Sequence, residues 1–229
     1  MENDLGPKPA LVLLCKRPAL GHSKQRLAGQ IGLEPTLHIA EKLLQCALED
    51  LLQWPYQQVM APDSQEHLAW AQTCVPNAIT IAQAPGNLGQ RIQAVDRQLR
   101  ELGHSRLLFI GSDCPALGQD HYYKANQLLN VHDTVLIAAR DGGVVLMASN
   151  YPWPELSELP WSTEALGEAL KELCLNAGHS VIVADMLGDI DHEEDLAILY
   201  RHLAQDRRPA RQALLASLDS LGLNNHARR

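Results

Sequence analysis

The sequence predicts a single α/β domain in which helices cover a mostly parallel β-sheet. The first observation is the alternation of short apolar runs with longer helical patterns, which is typical of such sheets. The second is the length of 229 residues, which suits one domain of this kind and is short for two. The third is the composition, 46% hydrophobic and 20% charged, which is that of an ordinary globular protein.

The elements of the N-terminal part follow from periodicity. The run at 10–15 is apolar almost throughout, as expected for a strand buried on both faces. A loop follows from Lys16 to Gly32. Apolar residues then recur at helical spacing from Leu37 to Leu51, so we predict a helix that starts near Glu34 and stops before Pro55.

The middle of the chain continues the alternation of strands and helices. In order, we predict a strand at 57–61, a helix at 64–73 begun by Asp63 with Glu66, a strand at 79–82, a helix at 87–102 ended by Gly103, a strand at 106–110 and a helix at 119–130.

The alternation breaks in the C-terminal half. Apolar runs at 134–139 and 144–148 flank Arg140-Asp-Gly-Gly143, which favours a hairpin or a tight bend. The remaining predicted elements are a helix capped by Ser162 or Thr163 that reaches Ala177, a strand at 180–183, a helix that begins at Asp191 and a short helix at 209–221.

The end of the chain differs in charge from the rest. We predict a domain at 1–204 and a basic tail at 205–229, because six Arg and only two Asp lie from Arg201 onward. A surface helix that packs on the domain is the favoured interpretation of the tail, over a segment that docks to a partner or to anionic lipid.

Charge and the N-terminal sequence limit the partners and the location. The 19 Lys and Arg against 27 Asp and Glu give a net charge of −8, which argues against nucleic acid as the main partner but allows a local basic pocket. The first residues include Glu2 and Asp4, and no stretch reaches the ~18 apolar residues of a membrane span. We expect no secretory signal, no membrane span and a cytoplasmic location.

The cysteines predict neither disulfides nor a zinc site. They are odd in number, widely spaced and without a C-x-x-C pair, and the ten histidines are scattered. We interpret the cysteines mostly as small buried side chains. They are Cys15, Cys46, Cys74, Cys114 and Cys174.

A basic loop follows the first predicted strand, and open α/β sheets bind ligands where strands end. In this loop, Lys24 and Arg26 can neutralise a diphosphate and Gly21 allows close backbone approach. An ordinary solvated loop explains it equally well. It matches neither the P-loop nor the Rossmann pattern.

Acidic residues follow two other predicted strands. Asp113, in Gly111-Ser-Asp-Cys-Pro115, can hold a divalent cation or only form an Asx-turn. Asp189 and Asp191 point to the same side if the chain is extended. They can bind a metal, or Asp191 can cap a helix together with Glu194.

Two further segments offer room for a ligand. Gly142 and Gly143 remove side chains beside Asp141, although a plain turn accounts for them too. Trp161 can stack on a base or a sugar, but a Trp before a helix more often packs in the core.

The order of these segments resembles a known family. The resemblance rests on Arg17-Pro-Ala-Leu-Gly21-His-Ser-Lys24-Gln-Arg26, Gly89-Gln-Arg91, Gly111-Ser-Asp113-Cys-Pro115, Asp141-Gly142-Gly143, Trp161-Ser162-Thr163 and Asp189-Ile-Asp191-His-Glu-Glu-Asp195. These motifs look like the bacterial glycosyltransferase-like family known as domain of unknown function 2064. The resemblance implies the nucleotide-diphospho-sugar transferase fold of A type, a three-layer α/β/α sandwich.

The resemblance also implies a role for each matching residue. It implies a metal-dependent transferase that uses Mg²⁺ or Mn²⁺, a nucleotide sugar and a small-molecule acceptor. The implied sites are phosphate binding by Arg17, Gly21, Lys24, Arg26 and Arg91, metal binding by Asp113 and Asp191, catalysis by Asp113 and Asp141, and acceptor binding by Gly142, Gly143, Trp161, Ser162 and Thr163.

Two alternative functions stay open: a nucleotidyltransferase that acts from an NTP, and a non-catalytic nucleotide-binding protein. The chain departs from the family pattern at Gln25 and His192, where Thr is usual, and at Val144 and Val145, where aromatic residues are usual. The missing aromatic residues remove a platform for the sugar or the acceptor.

Overall fold

A seven-stranded sheet forms the centre of the fold. The computed structural model describes residues 7–22 and 24–223. In chain order the strands are β1 (Ala10–Cys15), β2 (Gln57–Pro62), β3 (Ile79–Thr80), β4 (Leu107–Ile110), β5 (Thr134–Ala139), β6 (Val144–Ser149) and β7 (Val181–Leu187). Glu2 and Asp4, and the end of the basic tail with Arg228 and Arg229, lie outside the described residues.

The strand order in the sheet is β3-β2-β1-β4-β6-β5-β7. Strand β6 runs antiparallel to β4 and to β5, whereas the remaining pairs of strands are parallel. Strands β5 and β6 form the predicted hairpin. All strands except β6 therefore end at the same edge of the sheet, where the polar loops lie.

Helices cover both faces of the sheet. Within the described residues they are α1 (Gln25–Ile31), α2 (Leu33–Gln53), α3 (Leu68–Cys74), α4 (Leu88–Glu101), α5 (Gln119–Leu128), α6 (Leu166–Asn176), α7 (Glu193–Leu203) and α8 (Pro209–Ser220). This architecture confirms the predicted single-domain α/β/α sandwich with a mostly parallel sheet.

The alternating side chains of β1 show why its sequence is apolar almost throughout. Leu11 and Leu13 pack on one face with residues of α2 and α5, whereas Ala10 and Val12 pack on the other face with residues of α4 and α6. Because successive side chains of a strand point to opposite faces, a strand covered on both sides needs apolar residues at every position.

The second apolar side of α2 packs against the C-terminal helices. Ile39 and Leu43 of α2 belong to one buried cluster with Leu199 of α7 and Leu214 of α8. Arg211 of α8 has no exposed surface. Helix α8 is therefore packed into the body of the protein, and it is more than a helix resting on the surface.

A short helix corrects the predicted loop at 16–32. Helix α1 begins after Lys24, whose φ of 50° and ψ of 49° are left-handed, and it buries Leu27. With seven residues and one buried side chain, the helix lacks the repeated apolar spacing by which a longer helix is predicted.

Three predicted helix starts are wrong for local reasons. The segment predicted as a helix at 64–73 begins with a 3-10 turn at Gln65–His67. Helix α6 begins at Leu166 after Ala165, without a side-chain cap, because Ser162 has a left-handed φ of 65° and the hydroxyl of Thr163 donates to the carbonyl of Pro160 instead. Helix α7 begins at Glu193, and the carboxylate of Asp195, rather than Glu194, accepts the N–H groups just before the helix.

No helix in the described part of the chain combines the length and the apolar character that crossing a membrane requires.

Candidate functional site

A cavity of about 490 Å³ opens at the edge where β1, β4 and β5 end and β6 begins. Such an edge is the usual ligand site of an open α/β sheet. The cavity brings together ten of the predicted site residues: Lys24, Arg26, Arg91, Asp113, Asp141, Gly143, Trp161, Ser162, Thr163 and Asp191.

Lys24 joins the basic loop to two acidic loops. Its side chain is 4% exposed, with Nζ 2.9 Å from a carboxylate oxygen of Asp113 and 3.8 Å from one of Asp191. Nζ also donates to the carbonyl of Ile190. The left-handed backbone at Lys24, which costs roughly 1 kcal/mol, is held in place by these contacts.

Three carboxylates lie close together beside Lys24. Single oxygen atoms of Asp141, Asp189 and Asp191 all lie within 4.8 Å of one another. Asp141 follows β5, and the other two follow β7, which pairs with β5 in parallel. Because parallel neighbours end at the same edge, the hairpin turn and the loop after β7 meet there.

The acidic triad, Asp141, Asp189 and Asp191, has the chemistry of a divalent cation site. Burial, followed by repulsion from Asp141, raises the pKa of Asp189 to about 6. Carboxylate oxygens are the preferred ligands of Mg²⁺ and Mn²⁺.

Asp113 lies beside the acidic triad and outside it. Its carboxylate is paired with Lys24, its carbonyl accepts the N–H of Ile190, and the next residue, Cys114, donates its thiol to the carbonyl of Gly188. The loop of Asp113 and the loop of Asp189 and Asp191 are thus bound to each other through the backbone. Asp113 as a metal ligand stays a prediction.

The hairpin turn is packed tightly against the start of α6. Gly142 has a φ of 89°, and a Cβ atom there would lie 2.0 Å from the carbonyl oxygen of Glu164. The N–H of Gly167 donates to the carbonyl of Gly142, and the N–H of Gly143 donates to the Asp141 carboxylate. Gly142 is therefore a packing residue, whereas Gly143 lines the cavity.

Trp161 lines the cavity and also fixes the segment before α6. Its ring nitrogen donates to the carbonyl of Leu156 at 2.8 Å. Gly89 at the start of α4 leaves room for this contact, because a Cβ atom there would lie 2.2 Å from the same carbonyl oxygen. Trp161 therefore packs against the segment at Leu156 and also lines the cavity.

Two of the residues predicted to bind phosphate do not line the cavity. Among the described residues that line the cavity, Arg17 and Gly21 are absent. The guanidinium of Arg17 lies over the ring of Trp70, 5.9 Å from its centroid. Gly21 has a φ of 75° and an exposed position in the loop. Arg91 lines the cavity, and its Nε donates to the carbonyl of Gly86.

The sequence reasoning missed one residue of the site and left the role of another open. Gln83, a buried cavity residue after β3, was missed, whereas Asp189, for which metal binding was one of two interpretations, is a member of the triad. The amide nitrogen of Gln83 donates to the carbonyls of Ala61 and Cys15, which leaves its amide oxygen as an acceptor. A polar residue directly after a predicted strand was the available signal for Gln83.

The cavity cysteines are not set up as nucleophiles. Cys15 and Cys114 are buried, and burial raises the pKa of each thiol to about 12. Because the thiolate is the reactive form, both remain protonated near neutral pH.

A family model matches the centre of the chain. The family is described as "uncharacterized protein conserved in bacteria (DUF2064)", and its model matches residues 41–163. No curated protein matches the chain.

Solved structures share the fold at low sequence identity. A crystal structure from Desulfovibrio desulfuricans, provisionally assigned as a nucleotide-diphospho-sugar transferase, matches with a TM-score of 0.85 and 21% identity over 96% of this chain and 99% of that chain. A CMP:2-keto-3-deoxy-manno-octonic acid synthetase complexed with CTP matches with a TM-score of 0.51 and 13% identity over 87% and 99% of the two chains.

A third solved structure contains a metal. Rv0371c from Mycobacterium tuberculosis, in complex with manganese, matches with a TM-score of 0.50 and 14% identity over 87% of this chain and 99% of that chain. At these identities the three structures show a common fold.

Proposed function

The chain belongs to the DUF2064 family, and from that premise we propose that it is a metal-dependent transferase acting on a nucleotide-activated donor. The donor we propose is a nucleotide sugar, with a small molecule as the acceptor. The observation that carries the proposal is the cavity in which a basic wall, with Lys24 and Arg26, meets the acidic triad.

The basic wall suits the diphosphate of the donor. Lys24, Arg26 and Arg91 all line the cavity, and charge-assisted hydrogen bonds from such groups are the strong ones. Lys24 is already oriented by Asp113 and Ile190. Less side-chain entropy is therefore lost when the phosphate binds.

The acidic triad suits a divalent cation beside that diphosphate. The triad would hold Mg²⁺ or Mn²⁺ through Asp141, Asp189 and Asp191. Asp113, which lies beside the triad, is a further proposed ligand. When bound, the ion supplies charge stabilisation for the leaving phosphate oxygen. The manganese complex of the fold neighbour from Mycobacterium tuberculosis supports this assignment.

The part of the cavity beside Gln83 suits a nucleoside base. The amide oxygen of Gln83 is an acceptor, and its amide nitrogen is fixed by the carbonyls of Ala61 and Cys15. A fixed acceptor favours a base edge that presents an N–H group. The base itself would lie beside Gln83, near the end of β1.

The acceptor side is formed by Gly143 and the segment from Trp161 to Thr163. Val144 and Val145 also line this side, so it is aliphatic where the family usually has aromatic residues. A small acceptor with one apolar side fits such a wall better than a sugar that needs a stacking ring.

The proposed reaction is glycosyl transfer. An acceptor hydroxyl attacks the anomeric carbon of the sugar, the bond to the diphosphate breaks, and the nucleoside diphosphate leaves with that electron pair. Lys24 and Arg26 would hold the leaving diphosphate. Asp113 and Asp141 are the proposed catalytic residues, which would hold the metal and orient the acceptor, and the hydroxyl proton leaves to water.

Nucleotidyl transfer is the second candidate. A fold neighbour is a synthetase complexed with CTP, and the same basic wall would hold an NTP. In that reaction an acceptor oxygen attacks the α-phosphate and pyrophosphate leaves. Binding without turnover is the third candidate, and it is motivated by Val144 and Val145.

A cytoplasmic location is part of the proposal. All five cysteines are free, which is typical of proteins in reducing compartments.

The test is thermal stabilisation by a panel of nucleoside triphosphates and nucleotide sugars, each with and without Mg²⁺ or Mn²⁺. A ligand that binds the folded state raises its stability by RT ln(1 + [L]/Kd). We expect metal-dependent stabilisation by nucleotide sugars, and release of a nucleoside diphosphate on turnover.

The other outcomes separate the candidates. Pyrophosphate release from an NTP would select nucleotidyl transfer, and stabilisation without turnover would select a binding protein. No stabilisation by any member of the panel would contradict the nucleotide site.

A further inference from the structure

Arg211 of α8 is buried completely and uses part of its hydrogen-bonding capacity on a loop. Its side chain donates to the carbonyls of Pro115 and Leu117 at 3.1 and 3.0 Å. It also donates to the carboxylates of Glu49 and Asp50 at 2.9 and 2.6 Å, and to the carbonyl of Cys46. The guanidinium therefore joins α2, α8 and the loop that follows β4.

Arg208 approaches the same loop from the start of α8. Its Nη1 donates to the carbonyl of Leu117 at 2.8 Å and to Asp50 at 3.1 Å. The backbone makes room for this side chain, because a Cβ atom on Gly118 would lie 2.6 Å from Nη1 of Arg208. Two arginines thus hold one turn of the loop.

Asp113 directly precedes the turn that the two arginines hold. The N–H of Leu117 donates to the carbonyl of Cys114, which closes a turn of residues 114–117. Asp113 directly precedes Cys114. The arginine contacts lie two and four residues from Asp113, so they fix the backbone from which its carboxylate extends.

The same turn is bound to the second acidic loop. The carbonyl of Asp113 accepts the N–H of Ile190, and the thiol of Cys114 donates to the carbonyl of Gly188. Asp189 lies between these two contacts, and Asp191 follows them. A movement of the turn would therefore move Asp189 and Asp191, two of the three carboxylates of the triad.

We propose that Arg211 and Arg208 are positioning residues that set the geometry of both acidic loops, and through them the affinity of the site for a divalent cation. The cation part rests on the proposed function, whereas the ordering of the loops does not. Helix α8 lies outside the residues matched by the family model, so no motif of the site region pointed to this role.

Charge pairing alone does not require these loop contacts. A buried arginine needs an opposite charge, which Glu49 and Asp50 provide. The guanidinium has five N–H donors in a rigid fork, and its geometry lets it also satisfy two loop carbonyls. A lysine at this position keeps the charge but cannot serve the same set of acceptors.

The experiment compares Arg211→Lys with Tyr122→Phe. The Tyr122 hydroxyl donates to the same Asp50 carboxylate at 2.9 Å, and no hydrogen bond of this side chain goes to the loop carbonyls. Both variants disturb the buried ion pair, but only Arg211→Lys removes hydrogen bonds to the loop. A purely structural role predicts the same behaviour for both.

Two readouts are taken on protein that is folded in each variant. Amide hydrogen exchange is measured at 111–118 and 188–191, and the affinity for Mn²⁺ alone is measured by electron paramagnetic resonance. We expect exchange in both segments to rise about tenfold more in Arg211→Lys than in Tyr122→Phe. We expect Mn²⁺ affinity to fall about tenfold or more in Arg211→Lys alone, the range seen when a group behind a metal ligand is removed.

Equal exchange in the two variants would overturn the inference. Increased loop exchange in Arg211→Lys, in a protein whose wild type does not bind Mn²⁺, would uphold the positioning role and contradict the proposed metal site. If Arg211→Lys does not fold, Arg208→Gln replaces it, because that side chain is 26% exposed and contacts the same two carbonyls.

Discussion

Two groups of charged side chains lie next to the loop that follows β4. They differ in solvent exposure and in how completely opposite charges are paired. The buried cluster consists of Glu49, Asp50, Arg208 and Arg211, with the hydroxyl of Tyr122 donating to Asp50, and the Arg211 and Asp50 side chains are each 1% exposed. The cavity cluster consists of Lys24, Arg26, Asp113, Asp141, Asp189 and Asp191, and the Asp113 and Asp191 side chains are 51% and 40% exposed.

The difference separates a structural use of charge from a ligand-binding use. In the buried cluster each charge faces an opposite charge at hydrogen-bond distance, as burial requires. In the cavity cluster Lys24 and Arg26 form ion pairs with Asp113 and Asp191, whereas Asp141 and Asp189 of the triad form none within the described part of the chain, so negative charge is locally in excess at the triad. Such an excess favours the binding of a cation.

The largest expected effect breaks the buried cluster. Asp50→Asn leaves Arg211 buried without its closest opposite charge, so we expect the free energy of unfolding to fall by about 3 to 5 kcal/mol. Urea unfolding measures it. Asp113→Asn, its counterpart in the cavity cluster, should change stability by less than about 1 kcal/mol. Equal decreases would show that the two clusters do not differ as described.

The next effect concerns the cations of the cavity cluster. Lys24→Ala combined with Arg26→Ala should weaken the binding of nucleoside diphosphates by about 1.5 to 3 kcal/mol for each charge-assisted hydrogen bond that is removed, and should leave nucleosides unaffected. Calorimetric titration measures both. Lys8→Ala combined with Arg97→Ala makes the same charge change at exposed positions outside the cavity. Equal weakening of diphosphates and nucleosides would move the phosphate site elsewhere.

A smaller effect sharpens which carboxylates bind the metal. Asp189→Asn should weaken Mn²⁺ binding about tenfold, or 1.4 kcal/mol, because a neutral amide is a poorer ligand than a carboxylate.

Asp113→Ala should abolish metal-dependent nucleotide binding and leave the fold intact. Asp185→Asn, at an exposed position of β7, is the control. Unchanged affinity in the Asp113 variant would exclude that residue as a ligand.

The smallest effect is the pH dependence of stability without added metal, because Asp189 is only half-buried and solvent screens its charge. The folded pKa of Asp189 is about 6, above its unfolded value of about 3.9, so the folded state binds more protons between these values. We expect this residue to make the protein less stable as pH rises from about 4 to about 6.5. Asp189→Asn should lack that component in thermal unfolding, whereas Asp120→Asn should retain it.

The fold was predictable because its signals are local. The apolar run of β1 and the helical spacing in α2 are both set by neighbours in the chain, and the structure places these elements as predicted. Helix α1 was missed because its start depends on Lys24, whose left-handed backbone is held by contacts to Asp113 and Ile190. Those partners are far away in the sequence.

The site was predictable in part for the same reason. Strand ends gave the positions of Asp113, Asp141 and Asp191, and the structure brings all three to one cavity. Sequence spacing did not show that Lys24 would pair with Asp113 and that Asp189 would join the triad. Nor did a run of arginines in a basic tail reveal that Arg211 has carboxylate partners on α2.

The reversed strand β6 has a consequence for how this protein can be altered. A parallel neighbour of β4 would need a long crossover, whereas the hairpin delivers Asp141 to the cavity through a turn of four residues, 140–143. Its length is fixed at both ends by pairing and in the middle by the backbone of Glu164. Loop grafting for new ligands should therefore leave this turn intact and use the exposed positions Leu20 and Gly21, where a Cβ atom on Gly21 would meet nothing within 4 Å.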